Sequence, residues 1–189
     1  MLGFAWLSPT YRPHLTLTLS PMPLAIRPET PAEEAAIEAV TRAAFLVHPH
    51  SRQTEQFIIR ELRAAGALSV SLVAEEGGRV VGHIAFSPVR LADGTPGWYG
   101  MGPVSVAPDR QRRGIGGALV EAGLARLREL GAQGCMLVGE PAFYGRFGFA
   151  QATGLELEGV PAEVFLALSF GPSLPTGRVD FHPAFAAAA

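Results

Sequence analysis

The sequence contains no lysine and no asparagine, and all fifteen basic residues are arginine. Codons for the two missing residues are adenine-rich, so the pattern reads as the bias of a GC-rich genome. It still excludes chemistry. Without lysine there is no Schiff-base nucleophile, and the Gly-Lys-Ser/Thr of a phosphate-binding Walker loop cannot occur. Cysteine appears once, as Cys135, which rules out an internal disulfide and a thiolate metal cluster and suits a reducing cytoplasm. Long hydrophobic runs are missing as well: no apolar stretch reaches the length of a bilayer span. Neither sign of charge is in large excess. The formal net charge of −2 argues against nucleic acid or an anionic membrane surface as the main partner.

What is present is enough for one globular domain. The 189 residues, 48% hydrophobic and 17% charged, describe a soluble protein with a substantial core and little room for a second full domain. Residues 1–21 lack a basic leader and carry Pro9, Pro13 and Pro21, so a signal peptide is not expected. Met22 precedes a well-patterned segment. The expectation is therefore an extension over 1–21 without a fold role, translation starting at Met22, a single domain over 22–185, and a frayed tail at 186–189.

Along the chain, 24–27 predicts a short strand. Thr30, Pro31 and Glu33 predict a capping box with proline at the first helical position. Ile37, Val40 and Ala44 then predict a helix to about Phe45. A second helix is expected from Ser51, with Phe57, Ile58 and Leu62 inward, ending near Gly66. Leu68, Val70, Leu72 and Ala74 alternate with other residues, which predicts a strand buried on one face. Gly77-Gly78 predicts a tight turn into a partner strand over 80–86. Residues 98–106 predict a strand with a bulge near Gly100, Gly102 and Pro103. A helix over 115–130 places Ile115, Leu119, Leu124 and Leu127 on one face, and Gly131 closes it. A buried strand over 135–138, a short helix over 141–147, and last strands at 164–168 and 179–181 complete the reading.

The informative pattern is a strand, then Gln111-Arg112-Arg113-Gly114-Ile115-Gly116-Gly117-Ala118, then a helix. A helix start offers backbone N–H groups without internal partners and the positive end of the helix dipole. Glycines let a diphosphate approach closely, and Arg112 and Arg113 add positive charge. The simpler alternative is a turn that merely joins strand to helix. A nicotinamide-type fingerprint fails, because Leu119 stands where the third glycine belongs and no acidic ribose ligand follows convincingly.

The run 102–116, Gly-Pro-Val-Ser-Val-Ala-Pro-Asp-Arg-Gln-Arg-Arg-Gly-Ile-Gly, resembles the coenzyme-binding motif of the GNAT N-acetyltransferase superfamily. Further on, Gly139-Glu140-Pro141-Ala142-Phe143-Tyr144-Gly145-Arg146-Phe147-Gly148-Phe149 resembles that superfamily's second landmark, a tyrosine shortly before Gly-Phe. The resemblance spans about 22–185 and points to a little-characterised bacterial branch. It implies an α/β fold of the α+β mixed kind: a central, mostly antiparallel sheet flanked by helices, with two parallel strands that splay apart. Those strands are expected to end at Val106 and Val138. It further implies acetyl-CoA as co-substrate, with main-chain groups of Val104, Ser105 and Val106 pairing with the pantetheine arm and the loop Gln111 to Ala118 holding the pyrophosphate.

The implied reaction is direct attack of a primary amine, on a small molecule or a peptide, upon the thioester. Tyr144 is the expected acid for the departing thiolate; its alternative is aromatic packing beside Phe143 and Phe147. Glu140 is the candidate base, since the resemblance places an acidic residue there; its alternative is a helix-start carboxylate ahead of Pro141. Glu75 and His83 are weaker candidates, and His83 reads as an exposed strand residue. Cys135 invites an acetyl-cysteine route, yet Cys-Met-Leu-Val reads as buried strand. His48 and His50 lack nearby carboxylate ligands, so no metal is expected. The rival class is a non-catalytic acyl-CoA sensor or scaffold of the same fold. Neither 45–65 nor 155–170, where the resemblance puts the acceptor surface, has a charge run that identifies the amine. A cytoplasmic location is expected, and a homodimer is compatible with the sequence.

Overall fold

A computed structural model of the chain describes residues 23–46 and 51–186. The expectations for residues 1–21, for translation at Met22, for His48 and His50, and for the tail beyond Ala186 lie outside the described residues.

Strand β1 (Leu24–Pro28) leads to Thr30, whose backbone N–H donates to the Glu33 carboxylate at 2.7 Å. Pro31 opens one 3-10 turn, and α1 (Glu34–Phe45) follows, so the reciprocal cap read from the sequence starts the helix. Helix α2 (Glu55–Ala64) begins later than the Ser51 start expected from the sequence. The cause is local. Ser51 accepts from the Gln53 N–H at 2.8 Å and donates to Glu55 at 2.8 Å, and Gln53 takes a left-handed φ of 60°. Its hydroxyl closes a separate turn ahead of the helix instead of capping it.

Strands β2 (Val70–Glu76) and β3 (Arg79–Pro88) form a hairpin whose turn glycines, Gly77 and Gly78, have φ of 61° and 77°. Two positive φ values in succession give the turn whose twist matches a hairpin. Strand β4 (Arg90–Leu91) and β5 (Trp98–Val106) precede α3 (Ile115–Glu129), β6 (Gly134–Val138) and α4 (Pro141–Tyr144). Short β7 (Ala150–Gln151) and β8 (Leu155–Leu157), then β9 (Phe165–Ser169) and β10 (Gly177–Asp180), complete the chain. The main sheet has the order β1-β2-β3-β5-β6-β9-β7, and a small second sheet has the order β4-β10-β8. In the main sheet every neighbouring pair is antiparallel except β5–β6.

Helix α3 buries Leu119, Leu124 and Leu127 against one face of this sheet, in a cluster with Leu72, Ile84 and Phe86. Each such leucine contributes on the order of 1.5–3 kcal/mol when fully removed from water. The opposite face is covered too. Val73 is fully buried with Ile37 of α1 and Ile59 of α2, so β2 is buried on both faces, not on one as its alternation suggested.

The same covering corrects the reading of His83 as exposed: the side chain is 0% accessible. Glu29, after β1, joins three elements here. Arg63 of α2 reaches both its carboxylate oxygens, at 2.9 and 3.0 Å, and Ser71 of β2 donates to it at 2.5 Å. Because the Ser71 proton is used on Glu29, His83 Nε2 must carry the proton that it shares with Ser71 Oγ at 2.7 Å. Burial holds the His83 imidazole below its ordinary pKa, hence neutral at pH 7, against the opposing pull of Glu29.

The feature that positions the site is a divergence of β5 from β6. Their parallel pairing runs through Trp98↔Gly134, Tyr99↔Cys135 and Gly100↔Met136 and then stops. Beyond it β5 still pairs with β3 as far as Val106↔Gly82, and β6 still pairs with β9 as far as Val138↔Phe165. The split coincides with the bulge expected from the sequence. Ile84 faces Val104 while Phe86 faces Met101, so Gly102 and Pro103 together oppose Ala85. Proline offers no N–H to the ladder, and a bulge bends the strand that carries it. The sequence Gly-x-Gly-Pro thus turns the end of β5 away from its neighbour and leaves its edge unpaired.

Candidate active site

The end of β5, the loop 107–114, the first turn of α3 and the segment around α4 surround a cleft of about 810 Å³. Of the residues expected at a coenzyme site, all except Ser105 and Arg113 line it. Ser105 is buried and its hydroxyl lies 3.1 Å from that of Thr41 on α1, so its side chain joins β5 to the helix behind it. Gln111 uses its side-chain amide on the Val106 carbonyl at 3.1 Å, which ties the loop to the strand end. Gly114 caps α3 with a left-handed φ of 85°, a conformation that favours glycine.

Gly116 and Gly117 pose a sharper question, because helix-interior glycine costs about 1 kcal/mol relative to alanine. Elsewhere the fold gives a packing reason for glycine: a Cβ at Gly123 would overlap the Phe86 ring, and one at Gly134 would lie 2.5 Å from the Leu168 carbonyl oxygen. At Gly116 the nearest atoms to an added Cβ are 3.7 Å away, on Val106, and at Gly117 they are 3.5 Å away, on Phe147. These are ordinary contacts. The fold has room for a Cβ there, so packing alone does not demand glycine, and the bare backbone leaves the helix-start N–H groups open to the cleft.

Electrostatics point the same way. Arg110 is engaged by Glu76 and by Asp109, at 2.5 and 2.9 Å, whereas Arg112 and Arg146 line the cleft with no acidic partner among the described residues. A second cavity, of about 430 Å³, lies at the small sheet between Leu155, Glu158, Val160 and Arg178. Its arginine is held by Asp180 at 2.8 Å and faces two glutamates of the lining, Glu156 and Glu158, which suits no polyanion.

Tyr144 stands at the cleft with its ring 4.9 Å from Phe143 and 6.0 Å from Phe149. Gly139, at the end of β6, admits this ring, since a Cβ there would overlap it. Desolvation, with a smaller contribution from Cys135, pushes the phenol up to about 12, so it is fully protonated at neutral pH. Its hydroxyl has no protein partner among the described residues and is free to donate.

The other candidates are distributed differently. Glu140 is exposed, caps α4 by accepting from the Ala142 N–H at 3.4 Å, and is not among the cleft-lining residues. Glu75 is engaged with Arg27 on the β1–β2 side of the sheet, away from the cleft. Cys135 is fully buried and burial pushes its thiol well above the ordinary range, so it is no ready nucleophile. Among the described residues no group of three or more His, Cys, Asp or Glu side chains could hold a metal. None of the described helices is long and apolar enough to cross a membrane.

Sequence reasoning did not assign Ala44, Phe45, Glu121 and Arg146 to the cleft, although they line it. The first two come from the far end of α1, and only tertiary packing brings them there. Phe143 and Phe147 are four residues apart, and that spacing places both on the side facing α3.

A split parallel strand pair thus lies beside a glycine-opened helix start, and comparison with known proteins gives the chain its family. The profile of the Acetyltransferase (GNAT) family matches residues 34–149, and the chain belongs to that family. It is similar to YhbS of Escherichia coli K12, which is described as an uncharacterised N-acetyltransferase: 36% identity over 128 residues, covering 67% of this chain and 74% of YhbS. A crystal structure of a GNAT family acetyltransferase from Brucella melitensis, in complex with acetyl-CoA, shares 49% identity with a TM-score of 0.78 and covers 87% of this chain and 99% of that one. The YhbS structure from Escherichia coli in complex with CoA shares 31% identity with a TM-score of 0.79, covering 89% and 94%. The fold and the acyltransferase class read from the sequence are thereby borne out.

Proposed function

We propose that this protein transfers an acetyl group from acetyl-CoA to a primary amine by direct attack in a ternary complex. The observation that carries this reading is the unpaired end of β5, opening beside the bare first turn of α3. The edge from Val104 to Val106 suits the amides of a pantetheine arm, as an added strand would, and the N–H groups from Ile115 to Ala118 suit a diphosphate. Acetyl-CoA supplies a thioester carbonyl, activated towards an amine without any acyl-enzyme. The inaccessible thiol of Cys135 supports that route.

Tyr144 then serves as the donor to the departing sulfur. Its pKa of about 12 lies above that of an ordinary thiol, about 8.5, so it acts chiefly by holding its proton towards the developing thiolate. Glu140 is proposed as the acceptor of the amine proton, directly or through water. Its single bond to Ala142, at 3.4 Å, leaves carboxylate lone pairs unused. Glu140→Gln should lower kcat/KM by about tenfold to 100-fold while the Kd for coenzyme A stays within about twofold. An unaltered kcat/KM would leave Glu140 with its capping role alone.

The reading as a whole is tested by calorimetry with coenzyme A and by thiol release over a panel of small-molecule and peptide amines. Binding is expected at micromolar coenzyme. It should weaken by about 100-fold or more in Gly116→Val, where the fold has room for the added Cβ and the branched side chain fills the approach to the helix start. No heat with coenzyme A would overturn the proposal. Binding without turnover of any amine would instead define an acyl-CoA sensor or scaffold.

A further inference from the structure

Coenzyme A presents two separate anionic groups, the diphosphate and the 3′-phosphate of its ribose. The loop 111–118 and Arg112 provide for one of them. The second needs another cation, and the cleft holds one that is unspent. Arg146 lines it with no acidic side chain within ion-pair distance among the described residues, while Arg110, also of the lining, is engaged by Glu76 and Asp109. Glu121 also lines the cleft, one turn beyond Gly117, but makes no ion pair with Arg146.

Arg146 is held in place without being neutralised. Its guanidinium carbon lies 4.6 Å from the centre of the Phe143 ring and 5.5 Å from that of Phe147, and its Nε donates to the Phe143 carbonyl at 3.2 Å. The terminal nitrogens, which form the fork that matches phosphate oxygens, have no hydrogen-bond partner among the described residues. The two rings in turn lie over the first turn of α3: an added Cβ would come within 3.8 Å of Phe143 at Gly116 and within 3.5 Å of Phe147 at Gly117. The cation is therefore carried on an aromatic shelf beside the proposed diphosphate site.

We propose that Arg146, stacked on Phe143 and Phe147, binds the 3′-phosphate of the coenzyme's ribose and makes the site selective for coenzyme A over its 3′-dephospho form. This rests on the coenzyme reading given above. It assigns Arg146 a binding role and no part in the chemistry.

The experiment is calorimetric titration of the wild-type protein and of Arg146→Gln with coenzyme A and with 3′-dephospho-coenzyme A. The wild type should prefer coenzyme A by about tenfold or more, the worth of a charge-assisted contact. Arg146→Gln should lose that preference by binding coenzyme A about tenfold more weakly while binding the dephospho form as the wild type does. Unchanged affinity for the dephospho form shows at the same time that the variant is folded. Equal weakening towards both ligands would assign Arg146 to the diphosphate or to the fold and overturn the proposal, as would no weakening at all. A wild type that binds both ligands equally would sink the 3′-phosphate site alone, whereas one that binds neither would sink the coenzyme reading beneath it.

Discussion

Tyr144→Phe should lower kcat by about 100-fold while the Kd for coenzyme A stays within about twofold, because the hydroxyl works only where charge develops. The structure makes this substitution unusually clean. The ring keeps its packing against Phe143 and Phe149 and its place over Gly139, and the lost hydroxyl breaks no bond to the protein among the described residues. Stability should therefore change little. With the phenol raised to about 12, the wild-type rate should show no loss from its ionisation anywhere below about pH 11. Steady-state thiol release and calorimetry on the same preparation separate the two quantities. A drop in binding as large as the drop in turnover would assign Tyr144 to ground-state packing. Undiminished turnover would remove it from the mechanism.

The legibility of this site has a physical basis. Gly114 to Ala118 and Phe143 to Phe149 are local patterns whose consequences, an open helix start and an aromatic turn, follow from a few neighbouring residues. The bulge at Gly102–Pro103 was readable for the same reason, but not that β5 leaves β6 there, which depends on a strand more than thirty residues on. Strands β4, β7 and β8 were not read, since two or three residues carry no period. His83 misled because a strand face bearing Ser71 and His83 looks like a solvent face. The polar cover of that face, Glu29 held by Arg63, comes from distant parts of the chain and makes the same residues interior. Arg146 was hidden in another way: nothing in Tyr-Gly-Arg-Phe says whether the arginine faces water or a cleft, and the stacking that settles it depends on where α4 meets α3.

That interior cluster yields the largest expected effect on stability. Glu29→Gln should destabilise the protein by about 3 kcal/mol at pH 7, lowering Tm by roughly 6–12 °C for a chain of this size. Burial alone would raise the carboxyl's pKa, yet the hydrogen bonds from His83, Ser71 and Arg63 outweigh it and hold the group at about 2, against an ordinary 4.5. A folded pKa below the unfolded one means that the unfolded state binds the proton more tightly. The stabilisation is then fully present above about pH 4.5 and is lost as pH falls towards 2, by about 1.4 kcal/mol per unit. His83 acts in the same direction: its folded pKa lies below 6.5, so its protonation begins to favour unfolding as pH drops through that value. Urea unfolding of the wild type should accordingly show stability declining from about pH 6.5 downward and more steeply below 4.5. In Glu29→Gln the second decline should be shallower, because Glu33 and Asp109 are also held below the ordinary carboxylate range and still titrate, and the gap between the two proteins should close in acid. The reason is that glutamine imitates the protonated acid, and the wild type becomes like the variant once Glu29 takes up its proton. A gap between the two that stays constant from pH 7 to pH 3 would show that shape, and not charge, is what Glu29 contributes where β1, α2, β2 and β3 meet.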